Sequence, residues 1–287
     1  MIRFLAGVFI LAASSAGAQV SVEWRPEKPA FLQGEPIYLV LRVTNTSAAP
    51  IGYHEAWMLP QLRIVERASY PWREGCGSHG GVAGGGSGAS SHPPTFAPGQ
   101  SLTFRYLLRG YRLEPGRHSI HVQGYLPVTI QDSKYEADVA ITVVEDREGA
   151  LRGVVDALLA RAKNNLTRDG VLARAGVFEA ALPAHVAEIA RLTTYDDRSI
   201  HYPASAGYET LADINTSEAR AELRRLYDEQ LRLDLRLEIV QAISRLSAAD
   251  NLEFLLTLLP GRSTAIDDRI RRKAIDGLLC IGGDTAA

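Results

Sequence analysis

The sequence predicts two folded domains of different class: an antiparallel β-sandwich over residues 19–145, then an α-solenoid of helical repeats over 146–287, behind a leader at 1–18. Three observations carry that prediction. Apolar and polar residues alternate with period two up to about residue 145, the period then becomes helical, and the helical part resembles itself at a spacing of 35 residues. The chain of 287 residues is 46% hydrophobic, enough for two cores, and its 31 basic and 33 acidic side chains leave a net charge of −2. That balance gives no electrostatic reason to expect nucleic acid or an anionic membrane as partner.

The leader has one positive charge at Arg3, an apolar run over 4–13 and a small-residue ending, Ala16-Gly17-Ala18. This is the layout of a cleavable secretory signal, and the run is roughly half of the ~20 residues that span a bilayer. No cysteine follows the small residues, so no lipid anchor is expected there. The expected mature chain starts at Gln19, inserts in no membrane after cleavage, and works in the periplasm or outside the cell. Cys76 and Cys280 are 204 positions apart. They can build neither a disulfide framework nor a cysteine-rich zinc module, and Cys280 sits on an apolar helical stripe.

The strands follow in order. Val20-Ser-Val-Glu-Trp24 is the first; after the turn signal Gln33-Gly34-Glu35-Pro36, the run Ile37-Tyr-Leu-Val-Leu-Arg-Val43 ends in Thr44-Asn45-Thr46-Ser47. Further strands are expected at 61–66, 101–108, 117–123 and 134–144, with shorter pieces at 50–54 and 126–130. That count approaches the seven or so strands of an immunoglobulin-like sandwich. The phrases Phe31-Leu-Gln-Gly-Glu-Pro-Ile-Tyr38, Leu41-Arg-Val-Thr-Asn45, Pro98-Gly-Gln-Ser-Leu-Thr-Phe104 and Leu113-Glu-Pro-Gly-Arg-His-Ser-Ile120 resemble bacterial extracellular Ig-like domains, whose fold certain small proteinase inhibitors share. The resemblance is one of turn chemistry, so it implies a fold and no activity.

Beyond the charged connector Glu145-Asp146-Arg147-Glu148-Gly149, apolar residues fall three and four apart, as in Leu151-Arg-Gly-Val-Val-Asp-Ala-Leu-Leu159. At an offset of 35 residues, Gly207, Ala242 and Gly277 correspond, as do Tyr208, Ile243 and Leu278, then Leu211, Leu246 and Ile281. The same offset aligns Ala219 with Phe254 and Leu223 with Leu258, so both helices of a pair recur. Repeats of this length are stacked helical hairpins that bury their apolar faces only against neighbouring copies. Asp268-Arg-Ile-Arg-Arg-Lys-Ala-Ile-Asp-Gly-Leu-Leu-Cys-Ile-Gly282 resembles the first helix of a HEAT-like repeat, and Asp234-Leu-Arg-Leu-Glu-Ile-Val-Gln-Ala-Ile-Ser-Arg-Leu246 repeats an Asp-x-Arg opening. Asp234 and Asp268 are expected to accept the free amides of their helices' first turns. An earlier pair around 171–192 fits the spacing poorly. HEAT-like repeats generally serve as protein-binding scaffolds, which is what the resemblance implies here. The last first helix is expected to end near Ile281, where a second should begin, so the repeat array reads as incomplete.

Candidate chemistry is sparse. Residues 75–104 carry no charged side chain, and 75–88 hold eight glycines, giving a long Gly-rich loop over 75–100. Its Gly84-Gly-Gly-Ser-Gly-Ala segment lacks the Gly-Lys-Ser/Thr ending of a phosphate loop. Cys76 and His79 form a lone Cys-x-x-His in a glycine-rich setting that cannot hold a nucleophile and its base rigidly. His118 and His121, three apart on a strand, face opposite sides and cannot share a metal. His185 and His201 are isolated. Asp196-Asp197 and Asp267-Asp268 read as caps or loop residues, not as an acid and base pair. Tyr53, Trp57, Tyr70 and Trp72 gather before the loop and are the candidate binding residues, since aromatic side chains give large contact area at low entropic cost; core packing is the competing role for the tryptophans. Residues 146–287 hold 19 basic and 22 acidic groups, interspersed as on solvated helices.

The reading is an exported, non-catalytic module for protein interaction or scaffolding, with a protein partner, no cofactor, no metal and no nucleic acid. The alternatives are a proteinase-inhibitor-like binding domain using the uncharged loop, and an accessory region of a longer secreted enzyme.

Overall fold

The computed structural model describes residues 19–53, 61–64, 94–108, 113–125, 134–163, 167–194, 204–244, 249–259 and 265–283. These form a unit of strands and a unit of helices, divided between Leu151 and Arg152. The sequence places the change at 145/146. The intervening charged segment starts the first helix: the Asp146 carboxylate accepts from the amides of Ala150 and Leu151 at 2.7 and 3.3 Å, satisfying donors that a helix N-terminus leaves free.

The described strands are β1 (Val20–Pro26), β2 (Phe31–Leu32), β3 (Ile37–Asn45), β4 (Ile51–Gly52), β5 (Gln61–Ile64), β6 (Thr95–Phe96), β7 (Ser101–Leu108), β8 (Gly116–Tyr125) and β9 (Lys134–Val144). One sheet has the order β1-β3-β7, a second β2-β9-β8-β5, and β4 pairs with β6. All pairings are antiparallel except β2 with β9, where Phe31 lies opposite Val143 and Leu32 opposite Val144 in parallel. Alternation sets the faces of β8 and β9: Ile120, Val122, Val139 and Ile141 are buried while His121 and Asp138 point away. Strand β3 departs from it, with residues 37–41 all buried, the signature of a strand covered on both faces. Ile37 and Leu39 of β3 join Ile120, Val139 and Ile141 in one cluster, so the two larger sheets share a core.

Two short strands lie outside the sequence expectation. At β2, a turn with Glu35 N–H donating to the Leu32 carbonyl at 2.9 Å needs Gly34 at φ +81°, and Gln33 N–H then reaches the Val144 carbonyl at 2.8 Å. The Glu35 carboxylate also accepts from Leu32 N–H and pairs with Lys28. At β6, the end of the stretch expected as an open loop over 75–100 is structured, because Phe96 is fully buried and pairs with Ile51. Asn45, expected as a turn residue, is the last residue of β3 and only 1% exposed. Its amide donates to the carbonyls of Ala49 and Phe96 at 2.9 and 3.0 Å, and its Oδ1 accepts from Ser47 N–H at 2.9 Å. Those bonds make its burial tolerable. The expected piece at 126–130 lies outside the described residues.

The helical unit contains α1 (Ala150–Ala162), α2 (Arg168–Ala180), a 3-10 turn (Pro183–His185), α3 (Val186–Thr193), α4 (Ala204–Ile214), α5 (Ser217–Glu229), α6 (Leu233–Ser244), α7 (Ala249–Thr257) and α8 (Ala265–Gly283). Thr167 and Thr216 cap α2 and α5, their hydroxyls accepting from Gly170 and Ala219 N–H. Asn215, at φ +49°, ends α4 in the left-handed conformation that asparagine tolerates. Helix α6 packs against both α4 and α8. The residues that correspond at 35-residue spacing are interior ones: Gly207, Ala242 and Gly277 are buried, as are Tyr208, Ile243, Leu211, Ala219 and Leu223.

The glycines of this register mark where helices approach most closely. A Cβ at Gly207 would stand 2.2 Å from Thr193 Cγ2, and one at Gly277 would stand 2.1 Å from Ser244 Oγ and 2.6 Å from Ser244 Cβ. Asp268 does not cap α8 as expected, because the helix begins earlier, at Ala265; Asp268 instead accepts from Arg271 at 2.9 Å. Asp234 does lie in the first turn of α6, paired with Arg232 at 2.6 Å.

Replacing Gly277 with Ala gains about 1 kcal/mol of helix propensity but forces a contact of 2.6 Å against Ser244 Cβ, which rotation of the hydroxyl cannot relieve. Overpacking of this kind costs about 1–3 kcal/mol. Gly277→Ala is therefore expected to lower the stability of the helical unit in urea melts. Ser244→Gly should restore more of the loss than additivity allows, and a double-mutant cycle with no coupling would contradict the contact.

Candidate functional site

Of the four aromatic candidates, Tyr53 alone lies among the described residues; Trp57, Tyr70 and Trp72 lie outside them, as do Cys76, His79, Asp196, Asp197 and His201. Tyr53 follows β4, its N–H donating to the Pro94 carbonyl at 2.8 Å. Its half-buried ring meets Phe96 edge-on at 6.2 Å and 83°. That contact packs Tyr53 against the second hydrophobic cluster of the strand unit, with Leu41, Ile51 and Phe104.

The two histidines of β8 are separated as the strand pleat requires. His118 Nε2 contacts the Glu114 carbonyl at 2.7 Å. His121, on the outer face, stands between two carboxylates of β9: Nδ1 is 2.9 Å from Asp138 Oδ1 and Nε2 is 2.8 Å from Glu136 Oε1. Asp138 is its direct cross-strand partner and Glu136 lies two residues away on the same face. The hydrogen bond to Asp138 is the main cause of a His121 pKa raised above 6.5; burial opposes it, and the nearby charges of Glu136 and Asp138 add to it. The carboxylates occupy opposite ring nitrogens, so this is a clamp on the imidazolium and not a chelate for one metal ion. Among the described residues no group of His, Cys, Asp and Glu is placed to hold a metal. Sequence reasoning weighed His121 but missed Glu136 and Asp138, since their proximity exists only through the β8–β9 register.

In the helical unit, ionisable groups converge beside α4 and α6. Burial is the chief cause of a raised Tyr208 pKa, opposed by a hydrogen bond from Gln230. The Glu238 carboxyl is also pushed up, first by burial and then by the charges of Asp234 and Glu209. Asp234 moves the other way because Arg232 hydrogen-bonds it. Arg232 pairs with Asp234 at 2.6 Å. His185 is a packing residue: it is buried in the 3-10 turn, with Nε2 at 3.4 Å from Asp156 of α1 and Nδ1 at 3.9 Å from Glu188 of α3.

The feature of the helical unit that does point to binding is apolar. Leu252 and Leu256 on α7 and Ile275 and Leu279 on α8 are exposed. Each pair is four residues apart, one above the other on its helix. Arg271 precedes Ile275 by one turn and donates from Nε to the Leu259 carbonyl, just past α7, at 2.9 Å. No helix among the described residues is long and apolar enough to cross a membrane.

No protein-family model, curated protein or solved structure matches the chain.

Because the folded-state pKa of His121 is raised, its clamp stabilises the strand unit below pH 6.5 and that contribution fades as pH rises through the folded value. An NMR titration should place the His121 midpoint above 6.5, and Asp138→Asn should pull it down. A midpoint that Asp138→Asn leaves in place would contradict the clamp.

Proposed function

We propose that the chain is an exported, non-catalytic interaction module, an Ig-like β-sandwich joined to a HEAT-like α-solenoid. The observation that supports this reading is the 35-residue register: Gly207, Ala242 and Gly277 are all buried, as helical hairpins completed by their neighbours require, and such a stack presents its remaining faces to other proteins. Two sheets sharing a core support the sandwich, and the leader at 1–18 supports export to the periplasm or beyond. Mechanistically the module works by surface recognition. The apolar rows of α7 and α8 supply area in the helical unit, and the aromatic residues Tyr53, Trp57, Tyr70 and Trp72 are the second candidate.

The test is expression of the whole chain in a bacterial host followed by affinity capture from its envelope fraction. The expected product begins at Gln19, is found outside the cytoplasm, retains a protein partner through washing, and turns over no peptide or glycan substrate. A product that keeps residues 1–18 in the cytoplasm contradicts export, and hydrolysis of a peptide or glycan by the pure protein contradicts the non-catalytic reading.

A further inference from the structure

Three stretches of the chain carry the pattern that accepts an N-linked glycan, asparagine, then any residue but proline, then serine or threonine: Asn45-Thr46-Ser47, Asn165-Leu166-Thr167 and Asn215-Thr216-Ser217. Asn165 lies outside the described residues. The other two are the same tripeptide, so the fold has to separate them. Transfer uses the side-chain nitrogen of the asparagine and the hydroxyl two residues on. At Asn45 the strand unit consumes both. The residue is 1% exposed, and its Nδ2 donates to the carbonyls of Ala49 and Phe96 at 2.9 and 3.0 Å, which takes both of its protons. The Ser47 hydroxyl lies 2.8 Å from both Asn45 Oδ1 and the Ala49 carbonyl.

At Asn215 the helical unit engages other atoms instead. The residue is exposed, at φ +49°, in the short turn between α4 and α5. Arg220 donates to its backbone carbonyl at 2.8 Å and to its Oδ1 at 3.1 Å. A guanidinium only donates, so it holds the amide by the oxygen and not by the nitrogen. The cap of α5 is the Thr216 hydroxyl, which accepts from Ala219 N–H at 3.2 Å, and the exposed Ser217 that follows is not the capping residue. A sugar on Asn45 would break the bonds that tie β3 to β6, whereas one on Asn215 would stand in water.

We propose that Asn215 is a glycan acceptor, receiving a saccharide from a polyprenyl pyrophosphate donor outside the cytoplasm. The place of transfer rests on the export reading; the competence of the folded turn does not. In the transfer, Asn215 Nδ2 bonds to C1 of the first sugar as the C1–O bond to the pyrophosphate breaks. The bonding pair leaves with the lipid pyrophosphate, and Nδ2 gives one proton to a base of the transferase. A bulky, hydrated glycan at this point keeps the α4–α5 turn in solvent, so partner contacts fall elsewhere on the helical unit.

The experiment presents the folded whole chain, purified from a host that makes no N-glycans, to a purified oligosaccharyltransferase with its lipid-linked donor. An Asn-Ala-Thr peptide in the same tube reports that the transferase works. Occupancy is read site by site by peptide mass spectrometry after enzymatic release, which leaves aspartate at each occupied asparagine. The expected result is transfer to Asn215 and none to Asn45. Ser217→Ala, which leaves the Thr216 cap in place, should lose the modification at Asn215, and Ser217→Thr should keep it, both with circular dichroism unchanged. Should Ser217→Ala lose helix content, the comparison of Asn215 with Asn45 in the unsubstituted chain still decides. Asn215 unmodified beside a glycosylated peptide, or Asn45 occupied as fully as Asn215, overturns the proposal. No step of this assay depends on secretion, so its failure is distinct from failure of the export reading.

Discussion

The helical unit depends on how closely its helices can approach at two points. Gly277 of α8 sits on Ser244 of α6, and Gly207 of α4 sits on Thr193 of α3, at distances that leave no room for a Cβ. A methyl group at either point would push a helix off its neighbour and weaken the dispersion contacts of every side chain along that seam. The interior positions of α4 and α6, Tyr208, Leu211, Ile239, Val240 and Ile243, are nearly solvent-free. Each such aliphatic side chain contributes roughly 1.5–3 kcal/mol relative to exposure. Small residues at the 35-residue spacing are therefore the condition for burying the large ones.

The strand unit solves a different problem. Its sheets bury one aliphatic cluster between them and close one end around Phe96, where the Asn45 amide ties β3 to the loop before β4 and to β6. Burying a polar side chain in this way is stable only because its donors and acceptor all find partners. The outer face of β8 and β9 is left polar, and His121, Glu136 and Asp138 form a clamp there whose strength follows pH. The surfaces suited to recognition are apolar.

Much of this was legible in the sequence where a pattern repeats. The alternation of 101–108 and 134–144 matches β7 and β9 at both ends, and the offset of 35 residues picked out Gly207, Ala242 and Gly277, all buried. Strands of two residues were not legible, since β2 and β6 are too short to show a period and form because Val143 and Ile51 lie opposite them. Asp268 looked like a helix cap because acids favour that position, but Ala265 and Ile266 extend α8 backward past it. The histidine clamp depends on a cross-strand register that no spacing along the chain reveals. Of the aromatic candidates, Tyr53 packs on Phe96, which sequence proximity could not show because 43 positions separate them.

The account stands or falls on the seating of α8 upon α6. It is read most directly from nuclear Overhauser effects in isotope-labelled protein, between the α-protons of Gly277 and the β-protons of Ser244. The geometry predicts a strong cross-peak, because an atom attached to the Gly277 Cα would lie 2.6 Å from Ser244 Cβ. With both residues assigned and α8 helical, absence of that cross-peak would contradict the packing of α8 on α6.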